Sequence, residues 1–386
     1  MRQYEESHPW ITFDLDAVRR MSQRSWMLLG EAQGLCKQIK RAPLPAKDQD
    51  ELLMVSLRRG VMATTAIEGN TLSHDEEVIA AIRAGTYEAT PSRQYQAQEI
   101  ENVFEVLGYI DGRARAGGSF PITSEEVCKI NRLLLEDTEH EPNAIPGRIR
   151  HHSVGVGGVY QGAPAADCHY LLNRFADWFA GAEFRSESPD IDFALTVIGA
   201  IYAHLYIAWI HPFGDGNGRT ARMLEYVLLT RTGEIPYEAT HLLWNHYYET
   251  HDRYYAKLQE ASNRRCPLGF LEYAIEGFTS GLREHTKKIE VAVARISWIN
   301  HVHETMTQFP ATNVRKRQRD LVLRMERGQV YLRRELKRLY LELGLSDSVA
   351  RVTDRTLSRD LASLARAELI VRDGLGWRTN SEPFDL

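Results

Sequence analysis

Apolar residues recur at helical spacing along most of the chain. They repeat every three or four positions over residues 51–67, and Gly69 then favours the left-handed backbone that ends helices. A TSEE capping box predicts a second helix over residues 123–135. Ser188-Pro189 supplies an N-cap and a first-turn proline for a third helix, which ends near Trp209. The pattern therefore predicts a mostly α-helical protein.

Two segments depart from this amphipathic pattern. The apolar run over residues 193–210 is broken by His204 and flanked by Asp190 and Asp192, which favours a buried helix over a membrane span. Residues 154–160, VGVGGVY, hold too many glycines for a helix and predict a short β-hairpin. We therefore expect a buried core helix, a hairpin over these glycines and no membrane contact.

The C-terminal tail differs from the rest in charge. From position 313 onward the chain holds sixteen Lys and Arg against eleven Asp and Glu, whereas the whole chain has a net charge of −5. Leucines over residues 353–369 lie on one helical stripe, and a hairpin fits residues 370–378, which together predict a winged helix-turn-helix domain. The opposite face of the predicted helix carries three arginines: Arg355, Arg359 and Arg366. This face suits a DNA major groove, and the alternative is a domain that binds protein.

The composition excludes several classes of protein. With 386 residues, 26% charged and 43% hydrophobic, the chain can bury a sizeable core, which excludes wholesale disorder and collagen-like repeats. The net charge is too small for a protein that mainly coats nucleic acid. The four cysteines lie far apart without a CxxC pair, so neither a disulfide scaffold nor a zinc ribbon is indicated. No apolar signal core follows Met1, and we expect a cytoplasmic protein.

Candidate chemistry concentrates in residues 210–222, IHPFGDGNGRTAR. Pro212 ends the apolar helix, and three glycines at alternate positions allow a turn with converging N–H groups before a new helix begins near Arg219. Such a turn binds anions, because its amides lack helical partners and the helix dipole is positive there. The segment therefore predicts an anion-binding site.

Polar side chains beside this turn fit a polyphosphate. Arg219 and Arg222 lie three residues apart on the new helix and add two positive charges. Asp215 offers a hard oxygen for Mg²⁺, which accompanies bound polyphosphate. His211 can accept a proton near neutral pH. Together these residues predict phosphoryl or nucleotidyl transfer.

Other glycine-rich sites fit this segment poorly. A Walker loop requires GxxxxGK[ST] after a strand, and the segment has neither feature. An EF-hand loop beginning at Asp215 would place Arg219 at a ligand position and Tyr226 where a glutamate is needed. A glycine turn without a ligand would not account for the histidine, the carboxylate and both arginines together.

The segment matches the motif HxFx(D/E)GNGRxxR at every defined position and thereby resembles Fic-domain proteins. Residues 203–210 resemble the family's lead-in helix, and residues 146–150 resemble the entry to its flap. The resemblance runs from about Thr123 to Tyr273. It implies a helical Fic core that transfers AMP from Mg-ATP to a Ser, Thr or Tyr hydroxyl of a target protein or of the chain itself.

The resemblance also implies roles for single residues. His211 would deprotonate the target hydroxyl, which attacks the α-phosphorus as Mg-pyrophosphate leaves, and Asp215 would hold the Mg²⁺. The remaining motif residues would contact the ATP phosphates: Phe213, Gly214, Gly216, Asn217, Gly218, Arg219 and Arg222. Tyr255 resembles a tyrosine near the adenine, and Asn263 would lie on the adenosine side. The alternative is that Tyr255 and Asn263 only pack against neighbours.

The predicted hairpin resembles the family's flap, which holds the target by strand addition and covers the base. Its residues are Val154, Gly155, Val156, Gly157, Gly158 and Val159. The alternative is a mobile surface loop without a partner.

A second motif precedes the catalytic one. Thr64 and Glu68 lie four residues apart on one helix face, with Glu68 in the last turn, where the helix dipole disfavours a carboxylate. On composition alone, hydration of the Glu68 carboxylate would be enough to explain its place at this unfavourable helix end. The segment TTAIEGN, however, resembles the family's inhibitory motif (S/T)xxxE(G/N), which implies that Glu68 pairs with Arg222 and misaligns ATP. In some relatives the same glutamate positions water to remove AMP, which leaves de-AMPylation open here.

These observations divide the chain into four predicted segments. They are an N-terminal helical region with the inhibitory helix (1–110), a Fic catalytic core (111–285), a connecting helix (286–312) and a winged-helix domain (313–386). Two rival functions are transfer of UMP, phosphocholine or phosphate, and DNA-binding regulation with a nucleotide as signal. Gly218, where the phosphate-transferring branch has lysine, argues against phosphate transfer. Relatives often dimerise, which leaves a homodimer open without fixing the oligomeric state, and the tail could instead dock the target protein.

Overall fold

The computed structural model describes residues 2–156, 160–310, 312–342 and 353–384. The chain forms two compact units. The first comprises Met1–Arg41 and Pro45–Thr286, and the second comprises Ala42–Leu44 and Lys287–Leu386. The described residues are mostly helical with two β-hairpins, as the sequence predicts.

The first unit holds the longer run of helices. They are α1 (Gln3–Ser7), α2 (Gln23–Arg41), α3 (Ala46–Ala66), α4 (Glu76–Arg83), α5 (Gln94–Gly117), α6 (Ser124–Leu134), α7 (Ala165–Ala180), α8 (Pro189–Ile210), α9 (Asn217–Thr230), α10 (Leu242–Glu249) and α11 (His251–Asn263). Helix α12 (Leu268–Thr307) begins in this unit and ends in the second. Strands β1 (Gly155–Val156) and β2 (Tyr160–Gln161) pair antiparallel, with Gly155 opposite Gln161.

The core of the first unit is built around α8 and α9, which pack along each other. Helix α8 begins at Pro189, as predicted, and nearly all of its residues from Phe193 to Ile210 are buried. Its length and composition alone would allow α8 to cross a membrane, but 89% of its most apolar stretch is buried within the protein. The prediction of a buried core helix is therefore confirmed.

The N-terminal helices share this core. Helix α2 packs on α8, and α3 packs on α9 and α10. Helix α3 ends at Ala66, and Gly69 has the expected positive φ of 91°. Because α5 also runs unbroken through residue 110, the structure has no boundary between the predicted segments 1–110 and 111–285.

Only one of the two hydrogen bonds of the predicted capping box forms at the start of α6. The Thr123 hydroxyl accepts the backbone N–H of Glu126 at 3.2 Å. The Glu126 carboxylate turns away and accepts the Tyr109 hydroxyl at 2.5 Å and the Arg113 Nε at 3.3 Å. The cap therefore also joins α6 to α5.

The described part of the second unit consists of helices followed by a β-hairpin. It contains the end of α12, then α13 (Asn313–Arg324), α14 (Arg333–Glu342), α15 (Asp354–Arg366), β3 (Ile370–Asp373) and β4 (Gly376–Thr379). Tyr331 pairs with Trp377 as an extra bridge beside the hairpin. The leucine stripe of α15 is buried in this unit's core, as predicted. The predicted connecting helix over 286–312 overlaps the end of α12, which begins earlier, at Leu268, and ends at Thr307.

Candidate active site

A short loop with two left-handed residues joins α8 to α9. His211 has a φ of 50° and Gly216 a φ of 73°. The side chain of Asn217 holds the loop closed, because its Oδ1 accepts the Phe213 N–H at 3.0 Å and its Nδ2 donates to the Phe213 carbonyl at 2.9 Å. Helix α9 begins at Asn217, two residues before the predicted start near Arg219.

The side chains of two predicted phosphate-contacting residues help to shape the loop. The Phe213 side chain is 1% exposed and packs in the core. The side-chain amide of Asn217 is occupied by the Phe213 backbone. Both residues therefore shape the loop, while the backbone of the loop itself faces the cavity described next.

A cavity of about 1180 Å³ opens beside this loop. It is bounded by the start of α9, the stem of the β1–β2 hairpin and helix α11. The predicted site residues on its wall are Glu68, Val154, Gly155, His211, Gly214, Asp215, Gly216, Asn217, Gly218 and Tyr255. Polar groups that converge on a cavity large enough for a nucleotide mark it as the candidate active site.

The His211 imidazole lies on the cavity wall in a neutral form. Burial and the nearby Arg150 guanidinium lower the pKa of His211 to about 4, whereas Glu68 and Asp215 act in the opposite direction. Its Nδ1 lies 3.4 Å from the Ala208 carbonyl, which assigns the proton to Nδ1 and leaves Nε2 as the acceptor. The ring therefore has the protonation state that a general base requires at pH 7.

Arg222 is held by the end of the α3 segment. Its Nη2 lies 2.6 Å from a Glu68 carboxylate oxygen, and its Nε donates to the Thr64 hydroxyl at 2.7 Å. The same Nη2 donates to the Thr64 carbonyl at 3.0 Å. Burial opposes the charge on Glu68, but Arg222, Arg219 and His211 together hold the pKa of its carboxyl below the usual value. The geometry is that of an ionised, hydrogen-bonded pair.

Arg219 has a partner that the sequence did not reveal. Its Nη1 lies 3.1 Å from a carboxylate oxygen of Glu99 on α5, and its side chain is 5% exposed. The other Glu99 oxygen accepts the Asn70 amide at 2.9 Å. Burial raises the pKa of Glu99, and Arg219 counteracts that rise. Neither Glu99 nor Asn70 belongs to a motif that could have identified it, and only the folded structure brings them to Arg219.

The two motif arginines therefore lie behind the cavity wall. Arg219 and Arg222 are buried, and neither is among the described residues that line the cavity. Each is paired with a glutamate from outside the motif. A phosphate chain bound at the loop would have to compete with these glutamates for both guanidinium groups.

Asp215 fits the role of a metal ligand. Its side chain is 25% exposed on the cavity wall, and its oxygens accept the backbone N–H groups of Glu141 at 3.2 Å and of Gly216. Within the described ranges, no three His, Cys, Asp or Glu side chains cluster as a metal cage. A single carboxylate at a phosphate site is how Mg²⁺ is commonly held, with the substrate supplying further oxygens.

The two predicted adenosine residues are placed differently. Tyr255 on α11 is 37% exposed and lines the cavity. Asn263 ends α11, is exposed and lies off the cavity wall, so the structure does not support its predicted contact. Ser262 lines the cavity instead, because successive helical residues point about 100° apart.

The hairpin borders the cavity as the flap prediction requires. Val154 and Gly155 line it from one strand and Tyr160 from the other. The predicted residues Gly157, Gly158 and Val159 lie outside the described residues. The described stem is therefore placed to receive a segment beside His211.

The three predicted DNA-contacting arginines lie on the exposed face of α15. Arg355, Arg359 and Arg366 are exposed, while the leucines of the same helix are buried. The Arg366 Nε donates to the Ala362 carbonyl at 3.3 Å. Helix α15 therefore has a buried leucine face and an exposed arginine face, as predicted.

Comparison with known proteins identifies part of this arrangement. Residues 121–229 match the model of the Fic/DOC family, and this part of the chain is therefore similar to a Fic domain. A protein adenylyltransferase Fic from Nematostella vectensis is 28% identical over 225 residues, which are 58% of this chain and 48% of that protein. One from Drosophila willistoni is 35% identical over 180 residues, or 45% of this chain and 32% of that protein. The chain thus spans a third to a half of the length of these curated relatives.

Solved structures show the same fold over a larger share of the chain. A Fic family protein from Desulfovibrio desulfuricans G20 superposes with a TM-score of 0.55 at 20% identity, covering 93% of this chain and 97% of that one. A fragment of Fic-1 from C. elegans has a TM-score of 0.56 at 22% identity, covering 69% of this chain and 73% of that one. These similarities establish a Fic-type fold.

Proposed function

We propose that this chain, with its Fic domain at residues 121–229, is a self-inhibited protein adenylyltransferase. It would move AMP from Mg-ATP to a Ser, Thr or Tyr hydroxyl of a target protein or of itself. The observation that carries the proposal is that a neutral His211 and the first residues of α9, where a helix leaves its N–H groups without helical partners, line one cavity. The matches to proteins named protein adenylyltransferase Fic add support.

The residues of the loop would supply the groups that act at the α-phosphorus. Nε2 of His211 accepts the proton of the target hydroxyl as its oxygen attacks the α-phosphorus, and the bond to the pyrophosphate oxygen breaks. The α9 amides and dipole bind the phosphate oxygens. Asp215 would hold Mg²⁺, which when bound neutralises phosphate charge. Proton acceptance by a positioned base contributes about 10²–10⁴-fold in such reactions.

The Glu68–Arg222 pair is the proposed brake. While Glu68 occupies Arg222, that guanidinium cannot bind the terminal phosphate, and the α-phosphorus is not aligned with the attacking oxygen. The Glu68 carboxylate also lies close to the start of α9, since a Cβ built on Gly218 would be 2.7 Å from its Oε1. Negative charge there repels the phosphate chain at the end where the helix dipole would attract it.

Intact-mass spectrometry tests the proposed activity. The Glu68→Gly protein is incubated with Mg²⁺ and, separately, ATP, GTP, CTP or UTP. We expect addition of one or more AMP groups with ATP and none in the matched Glu68→Gly, His211→Ala protein. The proposal would be contradicted if the protein gained phosphate or UMP instead of AMP. It would also be contradicted if no nucleotide produced a mass increase.

A second candidate function, DNA binding, is favoured by the C-terminal unit. Its described elements follow the winged-helix order, and α15, the third helix of that order, presents Arg355 and Arg359 to solvent. A contact between a protein target and this tail is the competing interpretation. Binding of DNA or of a target protein by this unit would be an additional function of the chain and would not replace the transfer reaction.

Fluorescence anisotropy of the full chain with labelled duplex DNA distinguishes these interpretations. We expect the Arg355→Glu, Arg359→Glu protein to bind more weakly and to lose about two units of salt slope, as two phosphate contacts would predict. Arg185→Glu, an exposed arginine of the first unit, is the control of equal chemistry. Equal affinity for DNA in all three proteins would exclude this role for α15.

A further inference from the structure

A single buried arginine joins the flap to the catalytic histidine. Arg150 is 4% exposed, and its Nε donates to the His211 carbonyl at 2.6 Å. Its Nη1 donates to the His152 carbonyl at 2.6 Å, and its Nη2 donates to the carbonyls of Ala163 and Ile210. All four of these side-chain hydrogen bonds end at backbone carbonyls.

These carbonyls belong to three separate segments of the chain. His152 precedes strand β1, and Ala163 follows strand β2, so they mark the two ends of the hairpin stem. Ile210 and His211 form the C-terminal end of α8. The planar guanidinium therefore connects both ends of the hairpin to the residue that carries the catalytic base.

The end of α8 is satisfied largely by hairpin residues. A helix leaves its last carbonyls without helical partners. Here the Trp209 carbonyl accepts the Tyr160 hydroxyl at 2.5 Å and the Ala163 N–H at 3.3 Å. The Arg150 backbone N–H donates to the Pro212 carbonyl at 3.0 Å. A cation at a helix C-terminus is also favoured by the helix dipole.

Gly162 packs closely against Arg150 and His211. A Cβ built on Gly162 would lie 2.6 Å from the His211 Cβ and 2.9 Å from the Arg150 Nη2. The hairpin stem, the guanidinium and the histidine are therefore in direct contact. A shift of the stem would be transmitted to the histidine backbone, which already has the left-handed φ of 50°.

We propose that Arg150 is a positioning residue that fixes the distance between the flap-bound target and the His211 base. It touches neither ATP nor the target hydroxyl and acts through the backbone of His211 and the hairpin stem. The inference rests on the proposed function for its catalytic consequence. The mechanical link between hairpin and helix can be measured without any reaction.

The test compares three substitutions in the Glu68→Gly background. Arg150→Met keeps an unbranched side chain that fills the space of the arginine stem, and it removes every donor. Arg150→Lys keeps the charge and three donors but cannot span all four carbonyls. Arg148→Met, two residues earlier and exposed, is the matched control.

The first readout is amide hydrogen exchange of the free protein. We expect Gly162 and Ala163 to exchange at least about tenfold faster in Arg150→Met, with a smaller increase in Arg150→Lys and none in Arg148→Met. Amides in the middle of α8 should keep their rates. Unchanged exchange at the stem, or an equal increase throughout α8, would overturn the proposal whether or not the chain transfers AMP.

The second readout separates kcat from KM. A displacement of about 1 Å at a reacting group can cost about 10²-fold in rate, so we expect kcat of Arg150→Met to fall by that order. The KM for ATP should stay within about threefold, because the phosphates bind at the start of α9. Recovery of part of kcat by Arg150→Lys would support positioning. A kcat within about threefold of the Arg148→Met control would overturn it, whereas absence of AMP transfer in the Glu68→Gly parent would instead refute the proposed function.

Discussion

The guanidinium of Arg222 and the carboxylate of Glu68 meet at 2.6 Å although 154 residues separate them along the chain. The Arg222 side chain is 1% exposed, and that of Glu68 is 26% exposed. The pair therefore joins a buried cation to an anion at the cavity wall. Glu68 lines the cavity, whereas Arg222 is not among the described residues that do.

Glu68→Gly is expected to increase AMP transfer at least about tenfold, because a charge-assisted hydrogen bond of this kind shifts occupancy by that factor or more. Incorporation of label from [α-³²P]ATP into the chain measures the rate. Glu68→Gln removes the charge but keeps an acceptor of the same size, so its rate should fall between those of the wild type and Glu68→Gly. Equal labelling of all three proteins would show that the pair does not inhibit.

The pair between Arg219 and Glu99 leads to a prediction about stability. Glu99→Gln removes the carboxylate that bonds this buried guanidinium at 3.1 Å and leaves Asp215, 3.8 Å away, with a weaker contact. We expect the free energy of unfolding to fall by about 2 kcal/mol, the usual scale for a hydrogen bond to a charged group. Mg-ATP should raise Tm more in this variant than in the wild type, since its phosphates would supply the missing negative charge.

Thermal unfolding with and without Mg-ATP checks this prediction. Glu101→Gln, an exposed glutamate on the same helix, is the matched control and should behave like the wild type. An equal nucleotide-dependent gain in Tm for Glu99→Gln and Glu101→Gln would mean that Arg219 does not respond to bound phosphate.

The depressed pKa of His211 makes a prediction about pH. Its folded value of about 4 lies below the value of about 6.5 for an unfolded histidine, so the folded protein binds fewer protons. The associated stability is present above about pH 6.5 and is lost as the pH falls toward 4. Between pH 7.5 and 5.5 the wild type should lose about 1 kcal/mol more than His211→Ala.

NMR titration gives the direct measurement. The ring resonance absent from the His211→Ala spectrum identifies His211, and it should not move between pH 8 and 5.5. An unstructured histidine peptide titrates near 6.5 under the same conditions. A midpoint for His211 close to that of the peptide would refute both the neutral base at low pH and the stability difference.

The sequence predicts the elements of this fold better than their contacts. Local signals gave the start of α8 at Pro189, the turn at Gly69 and the hairpin near Gly155, because proline and glycine restrict or free the backbone regardless of the rest of the fold. The motif also indicated which residues approach the cavity. The family resemblance supplied the partner of Arg222, which no spacing rule would have given.

Contacts between distant segments account for what the sequence did not predict. Glu99 lies on α5 without any motif, and its approach to Arg219 depends on how α5 packs beside α9. Asn217 belongs to the motif, yet its amide binds the backbone of Phe213 because the loop closes on itself. Asn263 lies one helical position from Ser262, which lines the cavity, and one position changes the direction of a side chain by about 100°.

Gly162 tests how closely the hairpin must approach the catalytic residue. In Gly162→Ala the new methyl group would stand 2.6 Å from the His211 Cβ, closer than two carbon atoms can approach, so the stem or the histidine must move. We expect AMP transfer in the Glu68→Gly background to fall about 100-fold, the usual consequence of a displacement near 1 Å, while ATP affinity measured by calorimetry stays within about threefold. Gly108→Ala on α5, where an added methyl group meets no atom within 4 Å, controls for the substitution itself and should leave the rate unchanged. Equal transfer rates for Gly162→Ala and Gly108→Ala would mean that the histidine tolerates displacement, and the close contact between stem and base would then have no part in catalysis.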